Sequence, residues 1–221
     1  MGGEVIASAG GTEPAPRVFT HTIEPEDQAR ADLYALLSRL YSAAPDEALL
    51  AAIASAGELV VEGAKNPSDL AEAWSALVAA SAVMDAQAVA EEYQRMFVGV
   101  GQSEVSLHGS AYAKAASGKQ LLVGVRESLA QLGLARQPGA TTFEDHLAAV
   151  CETMRLLITG SGRAHPFEVG QQRQFFEDNL GSWVFACCAA ITAKSVANYY
   201  GRVAQFTECF MALERDSFAI D

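Results

Sequence analysis

The stretch "PEDQARADLYALLSRLYSAAPDEALLAAIASAG", Pro25 to Gly57, decides the fold class of this chain. Leu33, Leu36, Leu37, Leu40 and Tyr41 recur at three- and four-residue steps, the spacing that lines one face of an α-helix. Pro25 stands at a first-turn position, where the missing N–H of proline leaves no hydrogen bond unmade. Pro45 and Asp46 then open a second, short helix, and Gly57 ends it.

Downstream, "NPSDLAEAWSALVAASAVM" predicts a third helix with Asn66 as its cap and Pro67 in its first position, and a fourth runs from about Asp85 to Phe97. Between Val98 and Lys119 four glycines break the period, which predicts a long ordered loop across the surface. Such loops in compact domains tend to be functional. A fifth helix follows through "QLLVGVRESLAQLG", and "LARQPGA" makes a Pro/Gly linker, placing a hinge near residues 133–140. Thr141 and Glu144 have the spacing of a capping box at the start of a sixth helix that reaches about Thr159. "GSGRAHP" reads as a turn, and three more helices fall near Pro166–Asn179, Ser182–Ala193 and Ser195–Asp216. No segment alternates like a strand, and there is no internal repeat. The expected fold is all-α, a single bundle-like domain of about nine helices over residues 26–221, with 26–132 and 141–221 as possible halves. Residues 1–25, rich in Gly, Pro and Ala, read as a disordered tail.

Composition points the same way. Half of the 221 residues are hydrophobic and 8% aromatic, with Ala and Leu far ahead of Val and Ile, a mix suited to packed helices. The net charge of −12 is uneven: residues 1–110 carry 16 acidic against 5 basic side chains, and the remainder 11 against 10. The acidic half should repel nucleic acid and anionic lipid, and it suits a basic peptide. Cys151, Cys187, Cys188 and Cys209 show no C-x-x-C and no disulfide-framework spacing, so reduced thiols in a helical core are expected. The N-terminal stretch lacks the basic start and apolar run of an export signal, which predicts a cytoplasmic protein. "WVFACCAAI", Trp183 to Ile191, falls short of the roughly 20 apolar residues of a membrane helix, so a buried helix and no stable membrane insertion are expected.

"TTFEDHLAAVCETM", Thr141 to Met154, gathers carboxylates, an imidazole and a thiol. A zinc-protease helix needs two histidines four residues apart, and His21, His108, His146 and His165 have no such partner. A di-carboxylate metal bundle needs Glu-x-x-His, whereas Glu144 to His146 is a two-residue step that splays the side chains apart. Five residues of helix separate His146 and Cys151 by roughly 140° around the axis, which argues against a nucleophile pair and for a core Cys151. There is no P-loop, and "GVG" at Gly99 to Gly101 lacks the strand and helix of a dinucleotide fingerprint. No metal or cofactor is therefore expected. Asp145 and His146 remain at a helix start beside the linker, either as a solvated cap or as a polar patch that receives a basic ligand.

Four segments, in order, resemble the TorD-like and NarJ-like redox-enzyme maturation chaperones. "EEYQRMFVGVG" is similar to that family's Glu-x-Tyr-x-x-Leu-Phe helix end and its glycine turn, with Tyr93, Met96 and Phe97 in the matching places. "SLHGSAYAKA" supplies the loop Ser110 and Tyr112, and "EDHLAAVCETM" resembles Pro-Asp-His-Leu, matching Asp145, His146, Leu147 and Met154. "QFFEDNLGSWVFACCAAI" resembles the Phe-x-x-x-His-Leu-x-x-Trp junction through Phe176, Leu180 and Trp183. Departures occur at Phe143-Glu144, Val150, Asn179 and Leu107-His108.

The resemblance implies an all-helical, non-enzymatic cytoplasmic chaperone. Its partner would be the apo catalytic subunit of a molybdopterin oxidoreductase, bound through a twin-arginine signal peptide or N-terminal region while cofactor is inserted. Asp145 and Glu92 would pair with arginine, His146 would modulate that site, and Ser110 and Tyr112 would belong to the contact loop. Tyr93, Phe97, Tyr112 and Trp183 would line apolar surface, although the residues themselves equally fit ordinary core. The alternative reading is a small-ligand or nucleotide-binding protein, or an enzyme, using the Asp145/His146 region. Both a monomer and a homodimer swapped across the linker are compatible with the sequence.

Overall fold

The computed structural model of the chain describes residues 23–59, 67–99, 103–113, 118–136, 142–160 and 165–220. The expected Asn66 cap, the tail before residue 23, linker residues 137–140, Thr141 and turn residues 161–164 lie outside them. Among the described residues every regular element is helical, and the one extended pairing is an antiparallel bridge between His108 and His146. The all-α expectation holds.

The first helix, α1, spans Pro25–Ser42 and buries Ala31, Tyr34, Leu37, Leu40 and Tyr41. Its buried face is thus rotated from the leucine pattern, with Leu33 and Leu36 at the margin. Tyr34 can occupy the centre because its hydroxyl is satisfied inside the core, as described below. The short α2, Glu47–Ala54, is capped by Asp46, whose carboxylate accepts from the Leu49 N–H at 2.8 Å. Next come α3, Pro67–Val83, and α4, Ala86–Tyr93, the latter capped by Asp85 through the Ala88 N–H at 3.1 Å. Helices α5, Gly118–Gln131, and α6, Leu147–Thr159, flank the linker. The chain ends in α7, Val169–Phe176, α8, Val184–Thr192, and α9, Tyr199–Phe218.

Two of the expected helices end in π-turns. Gln94–Val98 continues α4 and Glu177–Gly181 continues α7, each inserting the wider i→i+5 geometry that often marks functional sites. Gly99, at φ 62°, closes the first with its N–H on the Gln94 carbonyl at 2.7 Å. Gly160, at φ 84°, ends α6, and a Cβ there would also meet the His165 carbonyl oxygen at 2.9 Å.

Helix α9 is the central strut. It packs on α3 and α8, while α1 lies along α6, so elements from both sides of the linker share one core. Burying side chains such as Leu37, Leu40, Phe206 and Phe210 contributes roughly 1.5–3 kcal/mol each. The buried tyrosines bring polar tips that the fold satisfies: Tyr41 meets the Thr207 hydroxyl at 2.9 Å, Tyr199 meets the Ser81 hydroxyl at 3.0 Å, and Tyr200 donates to the Leu40 carbonyl at 3.0 Å. At the far end of α9, Glu214 accepts from Arg30 Nε at 2.7 Å, from an Arg30 terminal nitrogen at 2.9 Å and from the Tyr34 hydroxyl at 3.0 Å. This pair fastens α9 to α1.

The capping-box expectation for α6 is corrected. The helix begins at Leu147, and its cap is His146, whose Nδ1 accepts from the Ala148 N–H at 3.2 Å. The residues just before it form a turn closed by His146 N–H on the Phe143 carbonyl at 3.1 Å, and His146 itself is extended at ψ 137°, so the turn does not run on into the helix. Glu144 instead pairs with Arg126 of α5 at 3.1 Å, and this cation outweighs its partial burial, lowering its pKa.

Candidate functional site

The loop 103–113 is bound to the start of α6 by a clasp of backbone and side-chain bonds. The Gly109 N–H donates to the Asp145 carbonyl at 2.9 Å, and the Leu147 N–H donates to the Leu107 carbonyl at 2.8 Å. Between these rungs the Asp145 carboxylate, 2% exposed, divides its oxygens: one meets His108 Nδ1 at 3.2 Å, the other accepts from the Ser110 N–H at 3.0 Å. Burial alone would raise the Asp145 pKa, but His108 and Ser110 outweigh it and hold the carboxyl at about 2.

His146 lies beneath, its ring 4.9 Å from that of His108. Burial, helped by the neighbouring His108, pushes its pKa down to about 4. It is therefore neutral near pH 7. Because Nδ1 accepts from Ala148, the proton resides on Nε2.

Aromatic packing backs the clasp. Tyr112 stacks on Trp183 with ring centres 6.0 Å apart and planes at 11°, and its hydroxyl donates to the Ser106 carbonyl at 2.7 Å. Trp183 is 2% exposed and donates its indole N–H to the Asn179 carbonyl at 2.8 Å, inside the second π-turn. Gly109 sits so close to this ring that a Cβ would lie 2.6 Å from the indole. Only glycine lets the loop reach the tryptophan there.

Five of the eight expected site residues, Ser110, Tyr112, Asp145, His146 and Trp183, therefore meet at one place. Glu92, Tyr93 and Phe97 belong to another, the start of α9. There the Glu92 carboxylate accepts from the N–H groups of Asn198, Tyr199 and Tyr200 at 3.0, 3.0 and 2.7 Å. It closes the positive end of a 20-residue helix. Tyr93 and Phe97 complete an aromatic cluster with Tyr200, at ring separations of 5.6 and 4.9 Å.

These positions correct the roles expected for several residues. Glu92 and Asp145 do not stand at a rim awaiting arginine, because each carboxylate is buried and spent on internal donors. Tyr93 and Trp183 are core, with Phe97 packed against it. His108 was the residue that sequence reading missed. Its partner lies 37 positions away, and nothing near it in the chain signals the pairing. Cys151, Cys187 and Cys188 are buried, and burial raises their thiol pKa values, that of Cys187 to about 11. Such thiols are poor nucleophiles. Among the described residues no three His, Cys, Asp or Glu side chains converge as metal ligands do.

The arrangement defines an all-α protein whose buried polar groups organise a loop and helix starts. Residues 64–189 match the family described as the nitrate reductase delta subunit. The match spans more than half of the chain, and the chain belongs to that family, one of molybdoenzyme maturation chaperones of the NarJ and TorD type. No curated protein matches the chain significantly.

Proposed function

We propose that the chain binds the twin-arginine signal peptide or N-terminal region of an apo molybdopterin oxidoreductase catalytic subunit. It does so in the cytoplasm and holds the client back from export until cofactor insertion. The observation that carries this reading is the family match over residues 64–189. The acidic balance of the first 110 residues, 16 acidic to 5 basic, adds long-range attraction for a basic peptide.

The client contact lies along the edge where loop 103–113 meets α6. Phe143 there is 53% exposed and stands edge-on to His108 at 6.1 Å, and Ser110 and Tyr112 are partly exposed. Apolar residues of a peptide can cover Phe143 while its donors and acceptors meet the loop backbone. Asp145 and His146 are positioning residues in this scheme: they set the loop and do not touch the client.

The test is a titration of the full chain with N-terminal peptides of molybdoenzyme catalytic subunits that carry a twin-arginine signal. Saturable binding is expected, weakened about tenfold by Asp145→Ala through loss of loop order, with helical circular dichroism retained. No binding to any such peptide or apo subunit, together with normal cofactor loading in a deletion strain, would sink the reading.

A further inference from the structure

A cleft of about 370 Å³ opens between α5 and the π-turn Glu177–Gly181, lined by Gly124, Glu127, Ser128, Gln131, Asp178 and Asn179 among others. At its floor Asn179 is only 2% exposed. Its Nδ2 donates to the Ser128 hydroxyl at 3.2 Å and to the Phe175 carbonyl at 3.1 Å. A carbonyl only accepts, so the amide nitrogen must face it and the side chain cannot be flipped. Oδ1 then points the other way, and among the described residues no donor reaches it. Side-chain oxygens sealed from solvent all have partners among the described residues, so Oδ1 keeps its opening onto the cleft.

The walls match this acceptor. Glu127 and Asp178 are exposed carboxylates on the two sides, and Asp178 has one oxygen engaged, by Gln174 Nε2 at 2.6 Å. Gly124 leaves the α5 wall bare, since a Cβ there meets nothing within 4 Å. Two negative charges and an amide oxygen that opens onto the cleft without a protein donor call for a cationic ligand rich in N–H groups, and a guanidinium offers five in one plane. Size narrows it further. One helical turn with side chains, 10–12 Å across and 5.4 Å tall, fills on the order of 500 Å³, so the cleft takes a side chain rather than a docked helix.

A larger cleft of about 540 Å³ beside α2 lacks this feature. Its Ser81 hydroxyl is committed to the Leu77 carbonyl and Tyr199, and its Asp85 caps α4. The smaller cleft also adjoins the clasp: Leu121 lines it and lies against Gly109, while the Asn179 carbonyl holds the Trp183 indole. One client segment can therefore span both.

We infer that this cleft receives one arginine side chain of the client polypeptide, its guanidinium set among Glu127, Asp178 and the Asn179 Oδ1. The source of the arginine rests on the chaperone reading, whereas the chemistry of the cleft does not. The test uses the full ¹⁵N-labelled chain titrated with Nα-acetyl-arginine amide and, separately, Nα-acetyl-glutamine amide. The arginine probe should shift the Gly124 backbone and Asn179 side-chain resonances, and the glutamine probe should leave them in place. Gly124→Leu should abolish the response while keeping or raising the melting temperature, because it fills open space at a helix position that glycine weakens. Glu127→Lys combined with Asp178→Lys, both on the surface, should weaken probe binding by at least about tenfold.

Equal shifts with the glutamine probe, shifts elsewhere only, or shifts that survive Gly124→Leu overturn the site. A client peptide bound equally by wild type and Gly124→Leu overturns the assignment to the client and leaves the chaperone reading standing. If the arginine probe fills the cleft and no client peptide binds, the chaperone reading falls with that assignment, and the cleft's chemistry stands.

Discussion

Glu214 and Asp145 are both carboxylates with 2% exposure, yet they are held in opposite ways. Glu214 meets the permanent cation Arg30 and the Tyr34 hydroxyl, and every partner sits on a helix. Asp145 meets an imidazole and a loop N–H, and its neighbour His146 caps α6 as a neutral base. The first arrangement is a strut between two helices, α1 and α9. The second is a clasp on a loop, in which Asp145 and His146 both have shifted pKa values. The difference separates what keeps this protein folded from what shapes the surface proposed to meet a client.

The hardest test of that contrast is Glu214→Ala. It strands Arg30, whose side chain is 18% exposed, without its main partner, and the expected loss is about 3 kcal/mol, toward the lower end for breaking a buried pair. Urea unfolding at neutral pH measures it. A loss below about 1 kcal/mol would mean that α1 and α9 are held by apolar packing alone.

Acid should loosen the clasp. The folded-state pKa of His146 is about 4 against an ordinary 6.5, so between these values the unfolded chain binds a proton that the folded chain refuses. Its contribution is complete above about pH 6.5 and falls as pH drops toward 4, by at most about 3 kcal/mol. Asp145 adds a further loss only between its ordinary value near 4 and its folded value of about 2. His146→Asn retains a capping side chain that does not titrate, and it should flatten the loss of urea midpoint between about pH 6.5 and 4.5. An unchanged slope would place the acid sensitivity elsewhere.

The smallest expected effect sharpens the comparison within the clasp. Tyr112→Phe keeps the stack on Trp183 and removes the hydroxyl bond to Ser106, for a loss of about 1 kcal/mol. Amide exchange should rise in residues 105–112 and stay level in α1 and α9. Faster exchange in α9 would show that loop and core open together.

The helices were legible because their signals are local. Asp46 and Asp85 announce the starts of α2 and α4 through bonds three residues ahead, and Gly160 ends α6 as the sequence expects. The leucine spacing of α1 predicted a helix, but Tyr34 took the centre of its buried face because Glu214, 180 residues away, satisfies its hydroxyl. The family-like segments also come together in space, since Ser110, Tyr112, Asp145, His146 and Trp183 assemble around one loop. Their roles were misread where a short-range rule competed with a distant partner. Thr141 and Glu144 fit a capping box on spacing alone, and the bridge between His108 and His146 displaced the helix start by several residues. Glu92 looked like a surface acid on α4, whereas three N–H groups from residues 198–200 draw it inward.

By itself the sequence determined the all-helical class, the order of the elements and the segments that mark the family, because helix periodicity and caps act within a few residues. Tertiary structure decided which carboxylates are buried, that His108 joins the site and that Asn179 turns an unpaired oxygen into a cleft. Burial and pairing of charge depend on groups far apart in the chain, and only their approach in space sets the cost of desolvation against the gain of a partner.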